Sequence, residues 1–143
     1  MIYGKAYKMW YSFENYKIDS LKAVKLGKFT VTDGDVFYDA GYFANNAFHY
    51  VIYFSGSPDE AKKFSCTISV ANKDGEKFTY TGKVHTLDEK ADDIIASASC
   101  FKIDNNFVKK SLDEEKILHI ELTIRNLKRE AKDEEESGVS DGK

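Results

Sequence analysis

Two cysteines, Cys66 and Cys100, and three histidines, His49, His85 and His119, are the residues of this chain best suited to nucleophilic or metal chemistry. Their spacing argues against both. A metal centre needs several ligands converging on one point, and sequences that build one place at least two of them a few residues apart. Here the thiols stand far apart, the imidazoles are scattered, and neither C-x-x-C nor H-x-x-x-H occurs. No metal and no cofactor is expected. Cys100 and His119 would make a thiol–imidazole pair only if the fold joined them, and nothing in the sequence places a third group to orient the ring. The carboxylates of "DEKADD" (88–93) and "DEEK" (113–116) read as solvated faces rather than a tuned acid–base pair. The glycines are spread singly, so no loop is built to cradle phosphate. The expectation is a protein that is not an enzyme.

Composition narrows the partners. The chain has 143 residues and a net charge of -3, with both signs mixed along its length. No basic block could neutralise a nucleic-acid backbone. Apolar runs are short and broken by charge, so none spans a bilayer. The start, "MIYGKAYKMW", lacks the unbroken apolar stretch of a signal peptide. Two thiols and no N-x-S/T sequon suit the reducing cytosol or nucleus. Length predicts one domain over residues 1–127. The stretch "KREAKDEEESGVSDGK" (128–143) is almost wholly charged or small and is expected to be a solvated tail.

The elements follow from periodicity. Phe64, Cys66, Ile68 and Val70 fall on one face of "FSCTISV"; Leu118, Ile120, Leu122 and Ile124 fall on one face of "KILHIELTI". Both are half-buried antiparallel strands. "AFHYVIYF" (47–54) is apolar on both faces and predicts a central strand, while "KFTYTG" and "SCFKID" predict shorter ones. Asp33-Gly34 and Asp74-Gly75 are hairpin candidates. In "SPDEAKKF", Ser57 is suited to N-cap, Pro58 to the first helical position, and Ser57 with Glu60 has capping-box spacing. Such a turn lets the chain cross from one sheet to another. "TLDEKADDIIA" and "NNFVKKSL" predict similar short helices. The expected architecture is an all-β antiparallel sandwich of about seven or eight strands with short connecting helices.

The stretch "VIYFSG-SPDEAKKF-SCTISV" resembles the C-terminal substrate-binding domain of the seven-in-absentia (SINA/SIAH) E3 ubiquitin ligases, a TRAF/MATH-like sandwich. In that family a strand ends in Gly, a polar turn carries an Ala, and an aromatic opens the next strand; Gly56, Ala61 and Phe64 occupy those places. The likeness continues through "EKFTYTGKVHTLDE", "DDIIASASCFKID" and "KILHIELTI", and upstream through "LGKFTVT", so that it runs from about Leu26 to Arg125.

This resemblance implies a protein-interaction module. It would serve as substrate receptor or adaptor in ubiquitin-dependent proteasomal degradation, lacking the RING and zinc fingers that precede the domain in family ligases. The chain would be either a fragment of such a ligase or a freestanding relative. The family binds extended Val-x-Pro-type peptides along its early strands. By position the groove residues here are Trp10, Tyr11, Phe13, Lys17, Ile18, Ser20, Leu21 and Glu121; the alternative is that the aromatics belong to the core. The family's Asp-Trp-Val-Met segment falls on Lys17, Ile18, Asp19 and Ser20, and its last-strand Asn on Glu121, so the standard ligand should fit poorly. Family members also pair through this domain, which points to Phe101, Ile103, Leu118, Ile120 and Leu122 as a surface for a homodimer or a heterodimer with a SINA-type ligase. The same alternation is what an ordinary inward-facing strand shows. The other function class is a MATH-like signalling scaffold with no ubiquitin role.

Overall fold

The computed structural model describes residues 2–14, 18, 23–30 and 34–130, with 23–26, 28 and 30 described by backbone alone. The fold is an all-β sandwich. Sheet A runs in the order β1 (Tyr7–Ser12), β9 (Ile117–Asn126), β5 (Phe64–Ala71), β6 (Lys77–Lys83). Sheet B runs β2 (Ala23–Thr30), β3 (Val36–Ala44), β4 (Ala47–Phe54), and two short strands share the far side of β4. These are β7 (His85–Thr86), parallel to the end of β4, and β8 (Phe101–Asp104), antiparallel to its start. Every other pairing is antiparallel. The connecting helices are short: α1 (Pro58–Ala61), α2 (Ala91–Ala96) and α3 (Asn105–Ser111). A further helical turn covers 127–130.

Alternation in the strands becomes burial in the fold. Phe64, Cys66, Ile68 and Val70 of β5, and Leu118, Ile120, Leu122 and Ile124 of β9, all face sheet B and are buried. All of β4 is buried because both of its faces are covered. Phe48, Tyr50, Ile52 and Phe54 join the inter-sheet core, while Val51 and Tyr53 pack with Ala40, Ile94 of α2 and Cys100 in a smaller cluster on the other face. The positions expected to form a pairing surface lie in the inter-sheet core. Phe101, Ile103, Leu118, Ile120 and Leu122 are each 2% exposed or less. Sheet A and sheet B of one chain cover these side chains, so no apolar face of β9 remains for a second copy.

Turn chemistry explains how the chain changes direction. Ser57 caps α1, its hydroxyl accepting from the Glu60 N–H at 3.2 Å while the Glu60 carboxylate accepts from the Ser57 N–H. The capped turn carries the chain from β4 in sheet B to β5 in sheet A. Gly56 precedes it because a side chain there would lie 2.4 Å from the Phe54 ring. Ser57→Ala is expected to cost about 1 kcal/mol of stability, visible as a lower urea midpoint with an unchanged slope. The β5–β6 hairpin turns at Gly75, with φ of +85°, and is braced by Asn72, whose Oδ1 accepts from the N–H groups of Asp74 and Glu76. Gly34 (φ +82°) serves between β2 and β3, while Asp33 lies outside the described residues. The β3–β4 hairpin uses Asn45 and Asn46, both at positive φ, as a two-residue hairpin loop requires.

Candidate functional site

Each sheet ends in a strand whose outer margin pairs with nothing among the described residues, and the two flanks of the sandwich differ. On one side β6 meets β8, and α3 packs over the gap: Phe78 meets Phe107 edge-on at 4.7 Å, and the Lys73 N–H donates to the Lys110 carbonyl. On the other side β1 ends sheet A and β2 ends sheet B. Tyr11 of β1 crosses the core to Asp39 of β3, the neighbour of β2, which places β1 above the β2 side. Extended backbone with unpaired N–H and C=O groups is a template for another strand.

The interior beside that flank holds a buried polar cluster. Asp39 faces inward and is 5% exposed. Its Oδ2 accepts from the hydroxyls of Tyr11 at 2.9 Å and Tyr50 at 2.7 Å. Burial, reinforced by the Asp39 charge, holds both phenols well above their ordinary range, so they act as donors. Asp39 sits cross-strand from Gly27 of β2. A Cβ at position 27 would lie 2.2 Å from Asp39 Oδ1, so only glycine leaves room for that oxygen. Nothing in the sequence singled out Asp39. An Asp between Tyr38 and Ala40 looks like any polar position of an alternating strand, and only the inward register of β3 makes it unusual.

The residues expected to line a groove are divided by the fold. Tyr11 (4%), Phe13 (2%) and Ile18 (7%) are core residues. Tyr11 packs edge-on to Phe48 and Tyr50, and Phe13 to Phe43 and Phe48. Trp10, one residue from Tyr11, points to the opposite face of sheet A, where it is 60% exposed and cross-strand from His119. Glu121 lies on that same outer face, paired with Lys8. Lys17, Ser20 and Leu21 lie outside the described residues.

The fold does not bring Cys100 and His119 together. Cys100 is in the small cluster outside sheet B, whereas His119 is on the outward face of sheet A, hydrogen-bonded to Asp113 at 2.8 Å. The sandwich stands between them. Burial pushes the Cys66 thiol up to about 12 and the Cys100 thiol up to about 11, so both stay protonated and unreactive at neutral pH. Among the described residues no group of three His, Cys, Asp or Glu side chains could hold a metal, and no helix is long and apolar enough to cross a membrane.

Comparison with known families matches residues 39–123, from Asp39 in β3 to Thr123 in β9, to the family described as Sina, TRAF-like domain. That is more than half of the chain. The chain belongs to the Sina TRAF-like domain family. It is therefore a protein-interaction domain of that family. No match was found among curated proteins. Strands β1 and β2, the end strands of that flank, precede the matched region of this Sina domain.

A second polar cluster of the Sina domain fastens the segment between β7 and β8. His85 is 2% exposed; its Nε2 donates to the Ser99 carbonyl at 2.6 Å and its Nδ1 meets Glu89 Oε1 at 3.0 Å. The other oxygen of Glu89 accepts from the Thr86 N–H at 2.7 Å. Partial burial pushes the Glu89 carboxyl up, but the His85 and Thr86 hydrogen bonds outweigh it and hold the group below its ordinary value of 4.5. A carboxylate whose folded pKa is depressed stabilises the fold above its unfolded pKa, and that contribution is lost as pH falls through the folded value. Glu89→Gln should accordingly lower the urea midpoint at pH 7, and the gap from wild type should begin to narrow as pH falls below about 4. A gap of equal size at pH 7 and pH 3 would show that the charge is not what matters.

Proposed function

We propose that this Sina domain is a substrate receptor or adaptor in ubiquitin-dependent degradation, and that it binds an extended peptide along the flank formed by β1 and β2. The observation that carries this reading is the pairing of family membership with a flank on which both sheets end in strands that pair outward with no described residue. A peptide laid along such a margin gains main-chain hydrogen bonds, and alternate side chains are sorted by what lies between the sheets. A second role, pairing with another copy or with a SINA-type ligase, is assigned to the outward face of β1 and β9. Trp10 and His119 lie there side by side, whereas the apolar face of β9 is spent on the core. An exposed aromatic of this kind can become buried on association, and such anchors dominate interface energetics.

The test is retention of a full-length SINA-type ligase, and of peptides from a displayed random library, by the immobilised full chain. Retention of either, lost on heat denaturation of the chain, supports the reading. Failure of both, with a folded chain, removes it.

A further inference from the structure

Asp39 Oδ1 has no hydrogen-bond partner although it is buried. An unpaired carboxyl oxygen in a core is costly, and cores rarely keep one without a use. Its direction is informative. Oδ2 is turned towards Tyr11 and Tyr50, and Oδ1 occupies the space over Gly27 where any side chain would collide with it. Gly27 belongs to the end strand of sheet B. Between Oδ1 and the outer margin of β2 there is therefore no side chain at that cross-strand position.

A strand added beside β2 would lie about 4.8 Å from it and roughly 9.6 Å from β3. Its inward-pointing residue opposite Gly27 would face Oδ1 across that span. Lys and Arg are long enough to cross it; Ala, Ser and Val are not. A carboxylate there would face a like charge, and an apolar side chain would leave Oδ1 unpaired in a drier site than before. The geometry points to a partner peptide that adds to the β2 margin and sends one basic side chain inward to donate to Asp39 Oδ1. The inference rests on the peptide-binding reading above and adds its specificity: one cation at one fixed position.

The experiment is selection of a random decapeptide display library on the full chain and, in parallel, on Asp39→Asn. Asn keeps an acceptor for the two tyrosines, so the fold should persist; near-ultraviolet circular dichroism checks it. Wild type is expected to enrich peptides with Lys or Arg at one position. For a synthetic peptide from that pool, changing the basic residue to Met should weaken binding about tenfold or more, equivalent to about 1.4 kcal/mol. Asp39→Asn should weaken the parent peptide similarly and should make the Met exchange nearly silent. Should the variant not fold, the Met exchange on wild type decides alone. Enrichment of apolar or acidic residues there, or a basic preference that survives Asp39→Asn, overturns the basic anchor while leaving peptide binding in place. No enrichment of any sequence overturns both.

Discussion

Phe48→Ala is expected to lower the melting temperature by roughly 10–20 °C, from a stability loss of about 3–5 kcal/mol. Phe48 has 0% exposure and stands at the centre of the aromatic core, with ring centroids 5.1 Å from Phe43, 6.0 Å from Tyr11, 6.4 Å from Tyr50 and 6.5 Å from Phe13. Its ring also covers Gly41, where a Cβ would come within 2.7 Å of it. Truncation removes the packing partner of several rings at once, and their neighbours are held by strands of both sheets, so the void cannot collapse. Domains of this size have about 5–15 kcal/mol in total, so one substitution removes a large part of it. Phe48→Leu should fall between the two. A melt of Phe48→Ala within about 3 °C of wild type would contradict the packing described.

Asp39→Leu should also destabilise, by about 2–6 kcal/mol, because it strands two buried hydroxyls at about 1–3 kcal/mol each. Leucine keeps the branching of aspartate but is bulkier, so some overpacking adds to the lost hydrogen bonds. Adding Tyr11→Phe and Tyr50→Phe removes the stranded hydroxyls. The triple variant should then recover most of the loss, since a cluster made wholly apolar leaves no unpaired polar atom. Urea titrations of wild type, Asp39→Leu, the double Phe variant and the triple variant give the coupling directly. If the losses simply add, Tyr11, Asp39 and Tyr50 do not act as one unit. The consequence for function is specific: the cluster ties β1 to sheet B, so loosening it should disturb the β1–β2 flank before it disturbs the far side of the sandwich.

Much of the architecture was legible in residue order. The period-2 sets of β5 and β9 named the inward faces, and the doubly apolar run of β4 named the central strand. The Ser57–Glu60 box marked the crossover between sheets. These signals are local, because alternation and capping depend on residues within one or two turns of each other. Two turn devices went unread although their residues were plain: Asn45-Asn46, which tolerates positive φ as Asp-Gly does, and Asn72, which organises its hairpin with a side chain.

What the sequence by itself determined was the sandwich, its central strand, its crossover and its likeness to the Sina family. The tertiary structure alone decided what those strands present to the outside. Alternation shows that one face of β9 is apolar, not whether sheet B or a second copy covers it; the fold gave it to sheet B. Trp10 and Tyr11 are adjacent and chemically similar, yet pairing with β9 sent one to the surface and the other into the core. Asp39 became a buried acceptor only because Tyr11, Gly27 and Tyr50, each distant in sequence, converge on it. The energy of a polar atom depends on which groups surround it after folding, and no local pattern of residues carries that information.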